Sequence, residues 1–222
     1  MKITPLAKHT MTLRALLILN TALTAIAFFA GVYDYHSYMN LSLDIDPDET
    51  MLSSDVTSGI VGILQIIMFF IVGVAFLQWI YYTNKNLHIL SRQDMKFTPG
   101  WSIGWYFIPI ANLFIPYQSM KEIWLVSHKN KSVSSAIVGW WWFLWLVSIV
   151  LDRLVFTLSI SAESVQDYRT STAAYIASDG VGIILNIVAL MLVTRIGMAY
   201  SKNFIEQGAS LEGNPVSNYP RQ

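Results

Sequence analysis

Between Asp55 and Lys85 the chain runs for 29 residues without a formal charge. About 20 residues of helix, at roughly 1.5 Å each, cross the ~30 Å hydrocarbon core of a bilayer, so this run is more than long enough. A second run, residues 132–162, is broken only by Asp152 and Arg153. Soluble domains carry about 25% charged residues. Here the fraction is 13%, with 54% apolar residues. Lipid offers the backbone no hydrogen-bond partner, so stretches this continuous are expected to be helices.

Four spans are expected, at about 13–33, 59–82, 135–160 and 180–200. Lys2, Lys8 and Arg14 stand before or at the start of the first span. The connection at 34–58 holds six acidic residues and no Lys or Arg. Lys85, Arg92, Lys96, Lys121, Lys129 and Lys131 follow the second span. The connection at 161–179 has Arg169 against Glu163, Asp167 and Asp179, and Arg195, Lys202 and Arg221 close the chain. Basic residues collect on the cytoplasmic side, which puts both termini on the cytoplasmic side of the cell membrane and both acidic connections outside. The Lys2 to Ala27 stretch also has the outline of a signal peptide ending at Ala25-Ile26-Ala27. Its apolar run continues through Phe28, Phe29 and Val32, which favours an uncleaved span. Residues 1–202 are read as one membrane domain, and the Gly- and Pro-containing 203–222 as a disordered cytoplasmic tail.

Residues 101–120, WSIGWYFIPIANLFIPYQSM, are apolar but interrupted by Pro109 and Pro116, with Asn112 between them. Proline inside a helix costs about 3 kcal/mol. If this stretch crossed the bilayer, the lysines after it would land outside. A re-entrant or interfacial helical hairpin at 101–118 avoids both problems, with arms at 101–108 and 113–130 and a break at 109–112. Asn112 is expected to cap the second arm, with Pro116 in its first turn. Such a break is either a polar, anion-holding point at membrane depth or a sealed kink. The fold class is therefore all-α integral membrane, four transmembrane helices plus a Pro-broken hairpin.

Intramembrane charges are functional candidates by default. Gln65, Asp152, Arg153 and Asn186 fall at similar depths and could form a polar layer, or Arg153 could reach Asp34 or Asp179. Trp140, Trp141, Trp142 and Trp145 are expected to form an interfacial belt. Gly100 and Gly104 have the small-xxx-small spacing of closely packed helices. There is no cysteine, and His9, His36, His88 and His128 are dispersed, so neither a metal site nor a cofactor is suggested. No phosphate loop, zinc-protease motif or nucleophile elbow occurs. With zero net charge, nucleic acid is not an expected partner. The sequon Asn40-Leu41-Ser42 would matter only in a eukaryotic source.

From Phe76 to Trp145 the chain resembles the bacterial membrane proteins grouped as domain of unknown function 4328. The likeness rests on FLQWIYYTNKNL, TPGWSIGWYFIPIANLFIPYQSMKEIW and GWWWFLWLVS. Within these, Trp79, Asn86, Trp101, Pro109, Asn112, Pro116, Tyr117, Glu122, Trp124 and the tryptophan cluster Trp140, Trp141, Trp142 and Trp145 carry the pattern, and Trp105 is a further candidate beside Trp101. At Tyr82 and Thr83 the chain departs from the family's basic residues, with Lys85 still nearby. The resemblance implies a multi-pass membrane protein and no particular activity.

Three functions follow as expectations. The first is a non-enzymatic helix-packing or partner-binding component, in contact with the lipid bilayer and with a membrane protein or a second copy of itself. The second is a small transport or channel element, which requires a cavity joining Asn112 to Gln65, Asp152 and Asn186. The third is an enzyme acting on lipid or peptide, which requires His88, Lys121, Glu122 and His128 to converge.

Overall fold

The structure, a computed structural model, describes residues 6–40, 52–91, 95–129 and 133–205; at 40, 52–58 and 205 it describes the backbone alone. Among the described residues six α-helices follow one another: α1 Leu6–Asn40, α2 Leu52–Leu90, α3 Trp101–Gly104, α4 Ile115–Ser127, α5 Ala136–Ile160 and α6 Val165–Tyr200. No strand occurs among the described residues. α1, α2, α5 and α6 are long and apolar enough to cross a membrane. The central stretch of α2 buries almost nothing within the protein: Ile63, Ile66, Phe69 and Phe70 all stand exposed. An apolar face of that length is stable only when lipid or another apolar surface covers it.

The helices outrun the spans. α1, α2 and α6 have 35, 39 and 36 residues, which at about 1.5 Å each makes them roughly 50–60 Å long. The stretch 161–179, expected as a loop, is mostly helix. It starts on a capping box: Ser164 Oγ accepts from the Asp167 N–H at 3.2 Å, and Asp167 Oδ2 accepts from the Ser164 N–H at 3.0 Å. That exchange satisfies two donors of the first turn. The other acidic connection narrows too, since 34–40 and 52–58 are helical; its middle, 41–51, lies outside the described residues, as do Leu41 and Ser42 of the sequon. Of the expected disordered tail, 203–205 continue from α6 as a π-helical turn, with Asn203 Nδ2 donating to the Ser127 carbonyl at 3.0 Å. The remainder lies outside the described residues.

The chain divides into two compact units, one of residues 1–11, 77–138 and 192–222, the other of 12–76 and 139–191. In the second unit, glycines bring α1 and α6 together. A Cβ on Gly182 would stand 3.6 Å from Thr24, one on Gly180 3.6 Å from Phe28, and one on Gly31 3.2 Å from Ile176. In lipid the hydrophobic drive between helices is absent, so close packing of small residues takes its place. Arg169 Nε donates to the Tyr38 carbonyl at 2.8 Å, satisfying an acceptor in the last turn of α1. In the first unit, Thr10 fills the space above Gly197, where a Cβ would meet its Cγ2 at 3.0 Å. Thr10 Oγ1 also accepts from Trp79 Nε1 at 3.0 Å.

The Gly100 and Gly104 pair packs no second helix. A Cβ on Gly104 would meet the Trp101 ring of its own helix at 3.2 Å, and nothing lies within 4 Å of Gly100. The tryptophan run divides likewise. Trp140 is exposed, whereas Trp141 and Trp142 are buried, Trp141 against Phe76 and Trp142 stacked on Trp145 at 4.6 Å between centroids. Consecutive residues of a helix point in different directions, so three in a row cannot all face the headgroups.

Candidate functional site

The end of α2 is unlike its beginning. Trp79, Ile80, Thr83, Asn84, Asn86 and Leu87 are fully buried in the first unit. Buried amides require partners, and Asn84 Nδ2 finds one outside its own helix, in the Phe97 carbonyl at 3.0 Å. The same residue is held from the other side. Glu122, on α4, accepts the Lys96 N–H at 2.6 Å and the Phe97 N–H at 3.1 Å. The Phe97 backbone is thus clamped at both its N–H and its C=O, by residues 38 positions apart on two helices. Tyr200 of α6 approaches Asn86 in the same unit.

The clamp forms the base of the Pro-broken insert. Beyond it the Ser102 N–H donates to the Thr98 carbonyl at 2.8 Å and the Ser102 hydroxyl to the Pro99 carbonyl at 2.7 Å, opening α3. Trp101 and Trp105 lie 4.7 Å apart, ring on ring. After the 3₁₀ turn Trp105–Phe107, Ile108 is extended (φ −101°, ψ 111°). The ring of Pro109 excludes the helical conformation from the residue before it, and this sets the break. A second 3₁₀ turn, Ala111–Leu113, leads into α4, where Pro116 occupies the first turn as expected. Asn112 does not cap α4. Phe114 stands at the cap without a side-chain bond, and Asn112 sits two residues earlier, its Oδ1 buried without a hydrogen-bond partner. The Tyr106 hydroxyl is buried and unpartnered as well. Around these buried points the tip faces outward, with Ile110 78%, Phe107 73% and Phe114 61% exposed.

One family profile, described as a domain of unknown function (DUF4328), matches residues 44–197. The chain belongs to DUF4328. Neither a curated protein nor a solved structure matches it. The DUF4328 match takes in α2 to α5, nearly all of α6 and the whole insert, and leaves α1 outside. Of the pattern residues named from the sequence, Trp79, Asn86, Trp101, Pro109, Asn112, Pro116, Tyr117, Glu122 and Trp124 fall in the first unit of this DUF4328 chain, with Trp105 beside them, and the tryptophan cluster falls in the second.

Gln65, Asp152, Arg153 and Asn186 all fall in the second unit, and each makes its own contact. Gln65 Nε2 donates to Asp179 Oδ1 at 2.9 Å. Asn186 Oδ1 accepts from Asn20 Nδ2 at 3.3 Å. Asp152 Oδ1 accepts from the Ser178 hydroxyl at 2.7 Å. Arg153 reaches neither Asp34 nor Asp179; its guanidinium lies 5.9 Å from the centre of the Phe156 ring. Asn20 and Ser178 were not singled out from sequence, although Asn20 is a lone amide in an apolar run. Gln65 and Asp179 line a cavity of about 420 Å³, whose described lining includes none of Asn112, Asp152 or Asn186.

The groups required for an enzyme are each engaged locally. Glu122 is taken up by the clamp, and the Lys121 ammonium lies 5.9 Å from the Tyr117 ring centre. His88 Nδ1 is 3.0 Å from the Asn84 carbonyl, and His128 Nδ1 is 2.7 Å from that of Trp124.

Proposed function

We propose that this DUF4328 protein is a non-enzymatic component of the cytoplasmic membrane that binds a membrane-embedded partner through its Pro-broken insert. One observation carries the reading: an exposed apolar tip, Phe107, Ile110 and Phe114, stands on a base clamped at Phe97. A protruding apolar group on a rigid support is costly in water and favourable within a bilayer. It is also preorganised for contact, since little ordering remains to be done on binding. The insert enters and leaves on the cytoplasmic side as a re-entrant hairpin, with both termini on that side. The distribution of lysine and arginine supports this orientation.

The transport alternative draws on the cavity at Gln65. With Asn112, Asp152 and Asn186 outside its described lining, that cavity supports a pocket better than a path. The enzyme alternative has no support from Glu122, whose carboxylate is occupied by two backbone amides.

The chain has no cysteine, so single-cysteine variants give direct answers. Lys129→Cys in intact cells should resist a membrane-impermeant maleimide until the cells are permeabilised. An environment-sensitive fluorophore on Ile110→Cys should be quenched by brominated acyl chains, or shielded from them when the partner is bound. Immediate labelling at position 129, or a fluorophore quenched only from the aqueous phase, would overturn the reading.

A further inference from the structure

The cavity of the second unit has a chemistry of its own. Its wall includes Asp34 and Tyr38 from α1, Gly62 and Gln65 from α2, and Tyr175 and Asp179 from α6. No Lys, Arg or His occurs in the described lining. Gln65 turns its amide N–H to Asp179 Oδ1, while Oδ2 receives no hydrogen bond among the described residues. The Ser159 hydroxyl, on the same wall, is buried and has no partner. An unpartnered buried hydroxyl is costly, and it is satisfied if an occupant supplies a donor or brings water with it. Tyrosines supply the aromatic side: Tyr38 and Tyr168 lie 6.3 Å apart, ring to ring, and Tyr175 is partly open. The stretch joining the two rims in sequence, 34–58, carries Asp34, Asp44, Asp46, Asp48, Glu49 and Asp55, with no Lys or Arg and the single imidazole His36.

The Asp179 carboxylate with its second oxygen open, the aromatic faces and the acidic sequence between the rims all favour a cation. The volume, about 420 Å³, lies in the range of small-molecule sites, roughly 300–1,000 Å³. A bare metal ion fits poorly, because no group of three His, Cys, Asp or Glu gathers among the described residues. We propose that this cavity binds a small organic ammonium ion, its charge on Asp179 and its carbon skeleton against the tyrosines. The ammonium could arrive as a free amine or as the headgroup of a phospholipid, and the chemistry that recognises it is the same.

The test uses the full chain in nanodiscs of phosphatidylglycerol, with radiolabelled tetramethylammonium as probe. Binding should saturate. Asp179→Asn, which keeps an acceptor for Gln65, should weaken it by about tenfold or more, as loss of a charged partner implies. Gly62→Phe should abolish it, because nothing lies within 4 Å of a Cβ at this lining position and the ring would enter the void. Gly73, with equal space around it but outside the described lining, gives the control: Gly73→Phe should bind as the parent does. Thermal unfolding of each variant separates loss of the site from loss of the fold. A second set of discs containing phosphatidylethanolamine distinguishes the sources. Reduced probe binding there identifies a lipid headgroup as the occupant, and unchanged binding a soluble amine; both uphold the site. No saturable binding in phosphatidylglycerol discs, or binding that folded Asp179→Asn and Gly62→Phe variants leave intact, would overturn the proposal.

Discussion

A carboxylate facing two amide N–H groups is worth more than either neutral contact, because hydrogen bonds to charged groups contribute about 1.5–3 kcal/mol each. Glu122 does this for Lys96 and Phe97. Glu122→Gln keeps the shape but replaces one acceptor oxygen with a donor that faces an N–H. It should lower stability by about 2 kcal/mol and open the 95–100 stretch to protease before the rest of the chain unfolds, which limited proteolysis in detergent would reveal. Asn20 and Asn186 make the other residue-scale contact, at 3.3 Å between helices. Hydrogen bonds between membrane helices average about 0.6 kcal/mol in double-mutant cycles. Asn20→Ala, Asn186→Ala and the double variant should give a coupling near that value by chemical unfolding, and additive losses would mean the two amides do not interact.

The fit between elements depends on glycines more than on apolar area. Gly197 lets Thr10 approach α6 while Thr10 is also held by Trp79. Gly197→Leu should therefore cost at least about 2 kcal/mol, in the range of overpacking a close contact, and lower the unfolding temperature. Gly197→Ala should cost less, because Thr10 need give only a few tenths of an ångström. Trp79→Phe tests the same contact from the other side, losing a hydrogen bond worth about 1 kcal/mol. If Gly197→Leu were neutral, α1 and α6 would not be in close contact in the first unit. Within the insert, the break at Ile108 follows from Pro109 alone. Pro109→Ala should raise helicity in a peptide of residues 101–120, measured by circular dichroism in detergent micelles.

At the scale of the whole molecule, basic residues and their absence set the proposed orientation. Placing Lys at positions 44, 46, 48 and 49 would give the 34–58 stretch a positive balance close to two helix ends. By the rule that governs basic loops, a C-terminal reporter active only in the cytoplasm should then lose activity in a fraction of molecules. A fully active reporter would show that the remaining lysines alone determine topology.

The number of helices long and apolar enough to cross a membrane was legible in the sequence because it depends on run length and charge, and both are local properties. So was the break at Pro109 and the place of Pro116, since proline acts on its immediate neighbours. The start of α6 was legible in principle from Ser164-x-x-Asp167, but acidic residues there had suggested a loop. Tertiary structure decided the rest. Asn84, Glu122 and Phe97 meet only because two helices and a turn converge, and no spacing in the sequence encodes such a meeting. Gln65, Asp152, Arg153 and Asn186 share a depth by counting, yet direction around each helix separates them into different contacts. Depth adds up along one axis at a fixed rise per residue. The azimuth at which one helix meets another depends on every side chain between them.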